Sequence, residues 1–471
     1  MANPEKLHPN TYPNTKSAYA SSAEELAARQ TDTEAWFEAL YTWLPGWIER
    51  FAQLPDPRHP GKIQHKLTVV LVYGVMLFLW QCASRRAGNR ELTQPAVWET
   101  LQAAFPALET IPHMDTVARV LERLPAEHLE SILLDTVKRL LRNRRLASWM
   151  VQQHYLVAVD GTLKWSAAYP WASEALTKQM KSGDPVYQAY VVEAVLVCPQ
   201  GIAIPLMAEF CENAVDAAPA TKQDSELKAF YRLARRLKAA FPRLKLAILA
   251  DGLYPNGPLF RFLRAQRWDF MLVLKAGNLK TFQADAQRQH GLEPQNVYDH
   301  VWGNRTQHFW WVNQLDYEWH DPQTGRLCRT VVHYAVCEET WTDAKGEHHS
   351  TWAWVSARPF SKGTIVTRCN RMARHRWDIE EHILGEKHFG YHYTHLYSRD
   401  WRGMQGFHAL MRLAHLLQVL ALHQTALWPT VLKKTIQGTI QWIVTTIAHA
   451  SVDLERLAAR RAAPHRSRLI W

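Results

Sequence analysis

Three acidic residues stand where secondary structure could direct their carboxylates at a shared point. Asp160 follows the apolar run 155–159, and Asp251 follows the apolar run 245–250. A glycine comes directly after each aspartate, so both runs are predicted to be buried strands that end in an acid and a turn. Glu380 lies in a stretch of helical character. Two strand-end aspartates and a helix glutamate are the oxygen ligands that a two-metal phosphoryl-transfer site requires.

Two cations share the side of the predicted helix that carries Glu380. With about 100° of rotation per residue, Arg376, Glu380 and Lys387 fall on one face. There the carboxylate would bind a metal ion, and the two cations would bind phosphate oxygens. The alternative is a solvated face on which the cations only pair with Glu380. Glu381, which points about 100° away, and Glu386 compete for the role of the acid.

Residues 151–280 are predicted to form the sheet that positions both aspartates. Strands are expected at 155–159, near 188–198, and at 202–210, 245–250 and 269–274, with helices at 223–240 and 257–266. Three strands, a helix, a strand and a helix is the order of an RNase H-like sheet. In that fold the first and fourth strands are neighbours, so Asp160 and Asp251 would lie side by side, an adjacency that rests on fold analogy.

Composition divides the remaining chain. The predicted parts are a polar arm at 1–30, an N-terminal helical, DNA-binding region at 31–150, a tryptophan-rich β insertion at 281–360 and a C-terminal helical region at 401–471. The catalytic core comprises 151–280 and 361–400. The predicted fold class is therefore a mixed α+β or α/β protein: an RNase H-like catalytic core with a β-rich insertion, flanked by helical regions.

The composition favours a soluble protein with a polyanionic partner. The 471 residues are 47% hydrophobic and 21% charged, with a formal charge of +11 and 21 tryptophans. A positive protein attracts nucleic acid, and aromatic rings can stack on bases. The 6 cysteines form no CxxC pair, which is typical of reduced intracellular thiols. Without an apolar signal region or a membrane-length apolar run, the expected location is the prokaryotic cytoplasm, in association with the nucleoid.

Several other functional classes find no support in the sequence. There is no GxxxxGK loop for an ATPase, so no nucleotide cofactor is expected, and there is no GxSxG elbow for an esterase. His348 and His349, like the group His388, His392 and His395, lack a cysteine or acid that would complete a zinc site. We expect the helix after Glu380 to end near Gly390.

The helix motif resembles the signature of IS4-type DDE transposases. The matching residues are Arg376-x3-Glu380-x6-Lys387, with Trp377 and Ile379 between the arginine and the glutamate. The family signature begins with a tyrosine three residues before the arginine, where this chain has Ala373. That tyrosine contact is therefore missing or supplied from elsewhere. Tyr391 and Tyr393 are the candidates for supplying it.

Other segments are similar to the same family. Asp160-Gly161-Thr162 looks like the first acid motif, and the segment 250–254 looks like the second. The segment 222–226 is similar to one in related transposases. The pieces 56–58 and 111–119 are similar to a helical region that precedes such catalytic domains. The resemblance covers roughly residues 50–425.

The resemblance implies an RNase H-like core that cleaves DNA at the ends of an insertion sequence and joins them to target DNA. It implies two Mg²⁺ ions, with Mn²⁺ as an alternative, bound by Asp160, Asp251 and Glu380. The metals would activate water against a phosphodiester and then align the freed 3′-hydroxyl for attack. The implied partners are double-stranded DNA, as terminal inverted repeats and as target, and a second copy of the chain in a homodimer on paired ends.

Further DNA contacts are expected outside the acid motifs. Hairpin-forming members of the family hold a flipped base with an aromatic residue of the insertion, for which the candidates here are Trp302, Trp310 and Trp311. The predicted contacts of the N-terminal region are Arg85, Arg86 and Arg90.

Two other functions remain open on the sequence. One is a metal-dependent DNA nuclease of the same fold that never joins strands. The other is a catalytically inactive DNA-binding descendant of a transposase. The presence of all three acids argues against it, but the alanine at position 373, where the signature has tyrosine, keeps it open.

Overall fold

The computed structural model describes residues 19–213, 224–321, 323–462 and 468–471. The N-terminal helices are α1 (Ser22–Ala52), α2 (Leu67–Leu79), α3 (Arg85–Glu91), α4 (Pro95–Ala104), α5 (Met114–Leu121) and α6 (Ala126–Arg142). They are followed by β1 (Tyr155–Ala167), β2 (Leu176–Gln179), β3 (Pro185–Val197), β4 (Ala203–Cys211), α7 (Glu226–Ala240), β5 (Leu246–Ala250), α8 (Gly257–Ala265) and β6 (Asp269–Val273).

The second half of the chain first adds strands and then returns to helices. Its elements are α9 (Lys280–Leu292), β7 (Val297–Trp302), β8 (Arg305–His320), β9 (Leu327–Asp343), β10 (Gly346–Ser356), α10 (Ile365–Asn370), a 3-10 helix (Ala373–Arg376), α11 (Trp377–His388), α12 (Trp401–Leu422), α13 (Trp428–Ala448) and α14 (Leu454–Ala462). The mixed α/β class agrees with the sequence prediction.

A ten-stranded mixed sheet forms the centre of the molecule. Its order is β2-β3-β1-β5-β6-β10-β9-β8-β7, and β4 pairs with β3 alongside β2. The strands β1, β5 and β6 are parallel, whereas β3 runs antiparallel to β1. The pairing of β1 with β5 confirms the neighbour relation that the fold analogy predicted for the two aspartate strands.

The segment predicted as a β-rich insertion, 281–360, continues the central sheet. It begins within α9, and its last strand, β10, pairs antiparallel with β6, for example Val355 with Leu272. The strands β9, β8 and β7 then follow in order. This arrangement covers the edge of β6, whose backbone groups would otherwise lack strand partners.

Strand β1 differs from its prediction, because it does not end at Asp160. It continues to Ala167, and within it Asp160 pairs with Glu193 while Gly161 pairs with Val192. The glycine turn expected after Asp160 is therefore wrong. The turn expected after Asp251 is present, since β5 ends at Ala250.

Each face of the sheet packs against a different set of helices. Leu156, Ala158 and Leu249 belong to the core that contains Ile379 and Ile383 of α11. The intervening residues of β1 and β5 belong to a larger core, which includes α7, α8 and the N-terminal helices. Successive residues of a strand point to opposite faces of the sheet, so neighbouring side chains of β1 and β5 pack against different helices.

The C-terminal helix α12 packs against the N-terminal helices. A Cβ added at Gly406 of α12 would lie 2.8 Å from Leu121 of α5, and one added at Gly74 of α2 would lie 2.6 Å from Leu410. The glycines therefore permit close helix contacts at both places. Helix α1 begins at Ser22, inside the segment predicted as an arm at 1–30, and Ser21 caps it through the Glu24 amide. Residues 1–18 lie outside the described residues.

Among the helices of the described ranges, none combines the length and the apolar character needed to cross a bilayer.

Candidate functional site

The pairing of β1 with β5 brings Asp160 and Asp251 to the same place. Ala158 pairs with Leu249, and the parallel register carried two residues further sets Asp160 against Asp251. Both aspartates have the strand parity of Ala158 and Leu249, whose side chains pack towards α11. The two carboxylates therefore project on the face of the sheet that α11 covers.

Helix α11 places the third acid over this point. Ile379 and Ile383 seat the helix on the sheet, and Glu380 is half-buried beside them. The Arg376 guanidinium donates to the Glu380 carboxylate, four residues along. Arg376 is only 3% exposed and also lies over the Trp377 ring, 4.1 Å from its centroid. The alternative of a solvated face is thus wrong for Arg376, although its ion pair with Glu380 is present.

A buried ion pair anchors the segment that leads into α11. Arg368 of α10 donates to both carboxylate oxygens of Asp269 in β6, at 2.9 and 3.0 Å. It also donates to Ser356 in β10 at 2.6 Å. Because all three residues are buried, these bonds fix α10 to the centre of the sheet.

Asp160 is the electrostatic centre of the cluster. Burial raises the pKa of Asp160 from 3.8 to about 7; the Arg376 guanidinium opposes the rise, and the carboxylates of Glu226, Asp251 and Glu380 add to it. Asp251 and Glu380 therefore lie within electrostatic reach of Asp160. In the described part of the chain, the three acids do not form a group whose ligand oxygens all lie within 4.8 Å of one another.

Asp251 has a cation beside it that the sequence reasoning did not identify. One Asp251 oxygen accepts from the Leu253 backbone amide at 2.9 Å, and the other lies 3.1 Å from the Lys275 ammonium. Lys275 follows β6, so the sheet order brings it to this position. Its side chain is largely exposed and can move away from Asp251.

Glu226, in the first turn of α7, is a fourth acid that the sequence reasoning did not assign to the site. Its carboxylate accepts hydrogen bonds from the hydroxyls of Tyr190 and Tyr254, at 2.9 and 2.8 Å. Burial raises the pKa of Glu226, and the two tyrosine hydrogen bonds oppose that rise. A signal was present, since Glu226 closes the segment 222–226 that resembles related transposases; residues 222 and 223 lie outside the described residues.

Lys387 also reaches the site. Its ammonium donates to the Thr162 hydroxyl at 2.6 Å, two residues after Asp160 on β1. Tyr391 and Tyr393, the candidates for the missing signature tyrosine, are both buried, and the Tyr393 hydroxyl donates to Glu193. The Tyr393 ring also lies against Lys387, whose ammonium nitrogen is 5.6 Å from the ring centroid.

The donor set suits a hard divalent cation. Carboxylate oxygens are the preferred ligands of Mg²⁺ and Mn²⁺. The carboxylates of this cluster outnumber Arg376 and Lys275, the two cations that pair with them. The cluster therefore has carboxylate oxygens and negative charge in excess, which a cation would balance. In the described part of the chain, the buried Nε of Arg376 has no hydrogen-bond partner, so this N–H lacks an acceptor of the kind that a phosphate oxygen provides.

Two of the predicted DNA contacts lie in the core. Trp310 and Trp311 are only 8% and 3% exposed, because they point to opposite faces of the sheet and each packs in the core on its own side. As folded, neither indole is exposed enough to stack on a base. Trp302 packs against Arg374, whose guanidinium carbon lies 4.9 Å from the ring centroid.

The three arginines of α3 lie away from the core. Arg86 and Arg90 are exposed and Arg85 is partly exposed. Arg85 pairs with Asp115 and Arg90 pairs with Glu91. Such surface pairs contribute little free energy, so these side chains remain free to exchange partners.

A second polar cluster lies on the far side of α11. His382, Glu386 and His415 have ligand atoms within 4.8 Å of one another. The two imidazole rings are stacked, with centroids 4.3 Å apart and planes 10° apart. Lone pairs in parallel ring planes do not converge on one ion. His415 forms a hydrogen bond with the Glu386 carboxylate at 2.7 Å, and the His382 Nε2 lies 3.3 Å from the same carboxylate. These contacts also remove Glu386 as a competitor of Glu380.

The comparison with known families concerns the N-terminal helices. Residues 48–136 match the model described as DDE_Tnp_1-associated. That range holds both N-terminal pieces that resembled the region preceding a transposase catalytic domain. The match indicates the context of a DDE-type transposase and suggests a transposase-related protein. No curated protein matches the chain.

Proposed function

We propose that the chain is a DDE transposase of the IS4-like group, which cleaves insertion-sequence ends and joins them to target DNA. The observation that supports the proposal is that Asp251 and Glu380 both lie near enough to Asp160 to raise its pKa, after the larger effect of burial. The context of the N-terminal match supports the same class. A trio of carboxylates on a rigid sheet and helix is the arrangement that metal-dependent phosphoryl transfer uses.

The proposal includes an RNase H-like core. The strand order β4-β3-β1-β5-β6 supports it, with β3 antiparallel to its neighbours and with β1, β5 and β6 parallel. Strands β7 to β10 lie between the second and third acids in sequence, where the resemblance places the insertion.

The residues of the site have separate roles in the proposed reaction. Asp160, Asp251 and Glu380 hold two Mg²⁺ or Mn²⁺ ions, which supply Lewis acidity and an activated water when bound. Arg376 holds the Glu380 carboxylate in place. Lys387, fixed on Thr162 beside Asp160, provides positive charge for phosphate oxygens of the DNA.

The proposed partners are the terminal inverted repeats and target DNA, bound by a homodimer on paired ends. The exposed arginines of α3 support contact of the N-terminal region with the repeats. Helix α12 is occupied by contacts within the chain, so the proposed dimer contact belongs to other surfaces of the C-terminal region.

The test is cleavage of a labelled repeat end with Mg²⁺. Asp160→Asn, Asp251→Asn and Glu380→Gln each remove one charged ligand, and we expect each to lower cutting by about a thousandfold, or about 4 kcal/mol. DNA binding should persist in all three, because the acids do not attract phosphate. Glu381→Gln is the matched control on the same helix and should cut normally. Normal cutting by any of the three acid variants would refute the proposal.

The alternative nuclease function is separated by a second substrate. A pre-cut end with a free 3′-hydroxyl, incubated with target DNA, should become joined to it. A protein that cuts the uncut end but never joins the pre-cut one is a nuclease of the same fold.

A further inference from the structure

Glu226 approaches the acid cluster from the opposite face of the sheet. Gly161 follows Asp160 on β1, so its missing side chain would point towards α7. A Cβ added at Gly161 would lie 2.5 Å from the Glu226 carboxyl and 2.7 Å from the Tyr190 ring. Because Gly161 has no side chain, the Glu226 carboxylate of α7 can lie directly against the backbone of β1 beside Asp160.

Two tyrosine hydroxyls hold this carboxylate in one orientation. Tyr254, which is fully buried, donates to one oxygen, and Tyr190 donates to the other. A carboxylate oxygen has two lone pairs, so each oxygen of Glu226 keeps one for a further partner. The tyrosines thus fix Glu226 as an acceptor and leave it able to bind a cation.

Glu226 is also within electrostatic reach of both strand acids. Burial is the largest cause of the raised pKa of Asp160, and the Arg376 guanidinium opposes the rise. Among the neighbouring carboxylates, Glu226 raises that pKa more than Asp251 or Glu380 does. Asp251 in turn raises the pKa of Glu226, after the larger effect of burial. Beside Asp160, the 3%-exposed Arg376 has a buried Nε without a partner within the described ranges, which points to an acceptor such as a phosphate oxygen that binds at the same site as the cation.

We propose that Glu226 is a fourth carboxylate ligand of the divalent-cation site, placed beside Asp160 through the gap at Gly161. The inference rests on the proposed function, because it concerns the same cation. It predicts a site formed from both faces of the sheet: Asp160, Asp251 and Glu380 on one face, and Glu226 on the other.

The test measures Mn²⁺ binding to the full chain by titration calorimetry and by Mn²⁺-dependent shifts of the melting temperature, without DNA. We expect Glu226→Gln to weaken Mn²⁺ binding about tenfold or more, in line with the loss of a group that supports a metal site. Gly161→Ala should do the same with Glu226 still present, because the added methyl displaces its carboxylate. The melting curve without Mn²⁺ reports whether each variant is folded.

Two controls separate ligation from a merely structural role. Tyr254→Phe removes one hydrogen bond but keeps the carboxylate, so Mn²⁺ affinity should stay within about threefold of the parent. Glu99→Gln, an exposed acid on α4, should leave it unchanged. A loss in Tyr254→Phe as large as that in Glu226→Gln would show that the effect is structural and would overturn the inference.

Asp160→Asn distinguishes this inference from the proposed function. If Asp160→Asn loses Mn²⁺ while Glu226→Gln and Gly161→Ala keep the parent affinity, Glu226 is not a ligand and the three-acid site stands. If Asp160→Asn also binds Mn²⁺ like the parent, both the inference and the proposed cation site fall.

Discussion

Asp160 shows how much of the proposed chemistry depends on one environment. Its carboxyl is partly buried, it lies within electrostatic reach of three other acids, and it accepts a hydrogen bond from the Gly161 amide. Folding therefore opposes the charged form of Asp160, and a bound cation would favour it. Proton binding and cation binding by the Asp160 carboxylate should therefore both change the free energy of unfolding.

We expect this coupling to appear in the pH dependence of stability without divalent cations. Because burial raises the pKa of Asp160 from 3.8 to about 7, its protonated form stabilises the fold fully below a pH of about 4. That contribution is lost as the pH rises through about 7. Asp160→Asn, which cannot ionise, should therefore exceed the parent in free energy of unfolding by about 2–4 kcal/mol at pH 8.

The measurement is chemical denaturation of both proteins in EDTA from pH 4 to pH 8. The gap between them should be near zero at pH 4 and grow with pH. Asp184→Asn, at an exposed position, is the control and should track the parent. A gap that is constant with pH would contradict the expected coupling.

The elements position the site through a small number of buried contacts. Helix α11 carries Glu380, but α10 and its Arg368 attach the segment to β6 and β10. Arg368 and Asp269 are both buried, so removing one partner leaves the other charge unpaired in a medium of low dielectric constant.

Arg368→Leu should therefore destabilise the protein by about 3–5 kcal/mol, as loss of one partner of a buried ion pair does. Equilibrium urea unfolding is the measurement. Arg329→Leu removes an arginine of β9 from its exposed pair with Asp316 of β8, and it should change the free energy of unfolding far less than Arg368→Leu does. Equal losses in the two variants would mean that the Arg368 pair does not hold α10 to the sheet.

At the scale of the whole molecule, the N-terminal and C-terminal helices form a joint core. Helix α12 packs on α2 and α5 through Gly74 and Gly406, where side chains of the facing helix come close. The regions 31–150 and 401–471 were predicted as separate parts, but their apolar faces are buried together. The N-terminal region is therefore required for the fold in addition to any DNA contact.

A chain that begins at residue 151 should consequently aggregate, because it would expose the apolar face of α12 to water. Size-exclusion chromatography and a thermal melt measure this outcome. Co-expression of residues 1–150 as a separate chain should restore a soluble complex. A monomeric 151–471 chain with a cooperative melt would contradict the joint core.

The sequence by itself determined the local features of this protein. Apolar runs predicted β5 and the start of β1, helical spacing predicted α7 with its inward face, and the motif around Glu380 predicted α11. These features depend on contacts between residues close in the chain, so periodicity and punctuation are enough to indicate them.

Only the tertiary structure decided what these elements meet. It extended β1 beyond Asp160, because β3 offers a partner along the whole strand. It buried Trp310 and Trp311 in the cores on opposite faces of the sheet, and it brought Glu226 and Lys275 to the acids. Each of these outcomes depends on contacts between segments far apart in the chain. Such contacts follow from strand order and packing, which local sequence patterns do not specify.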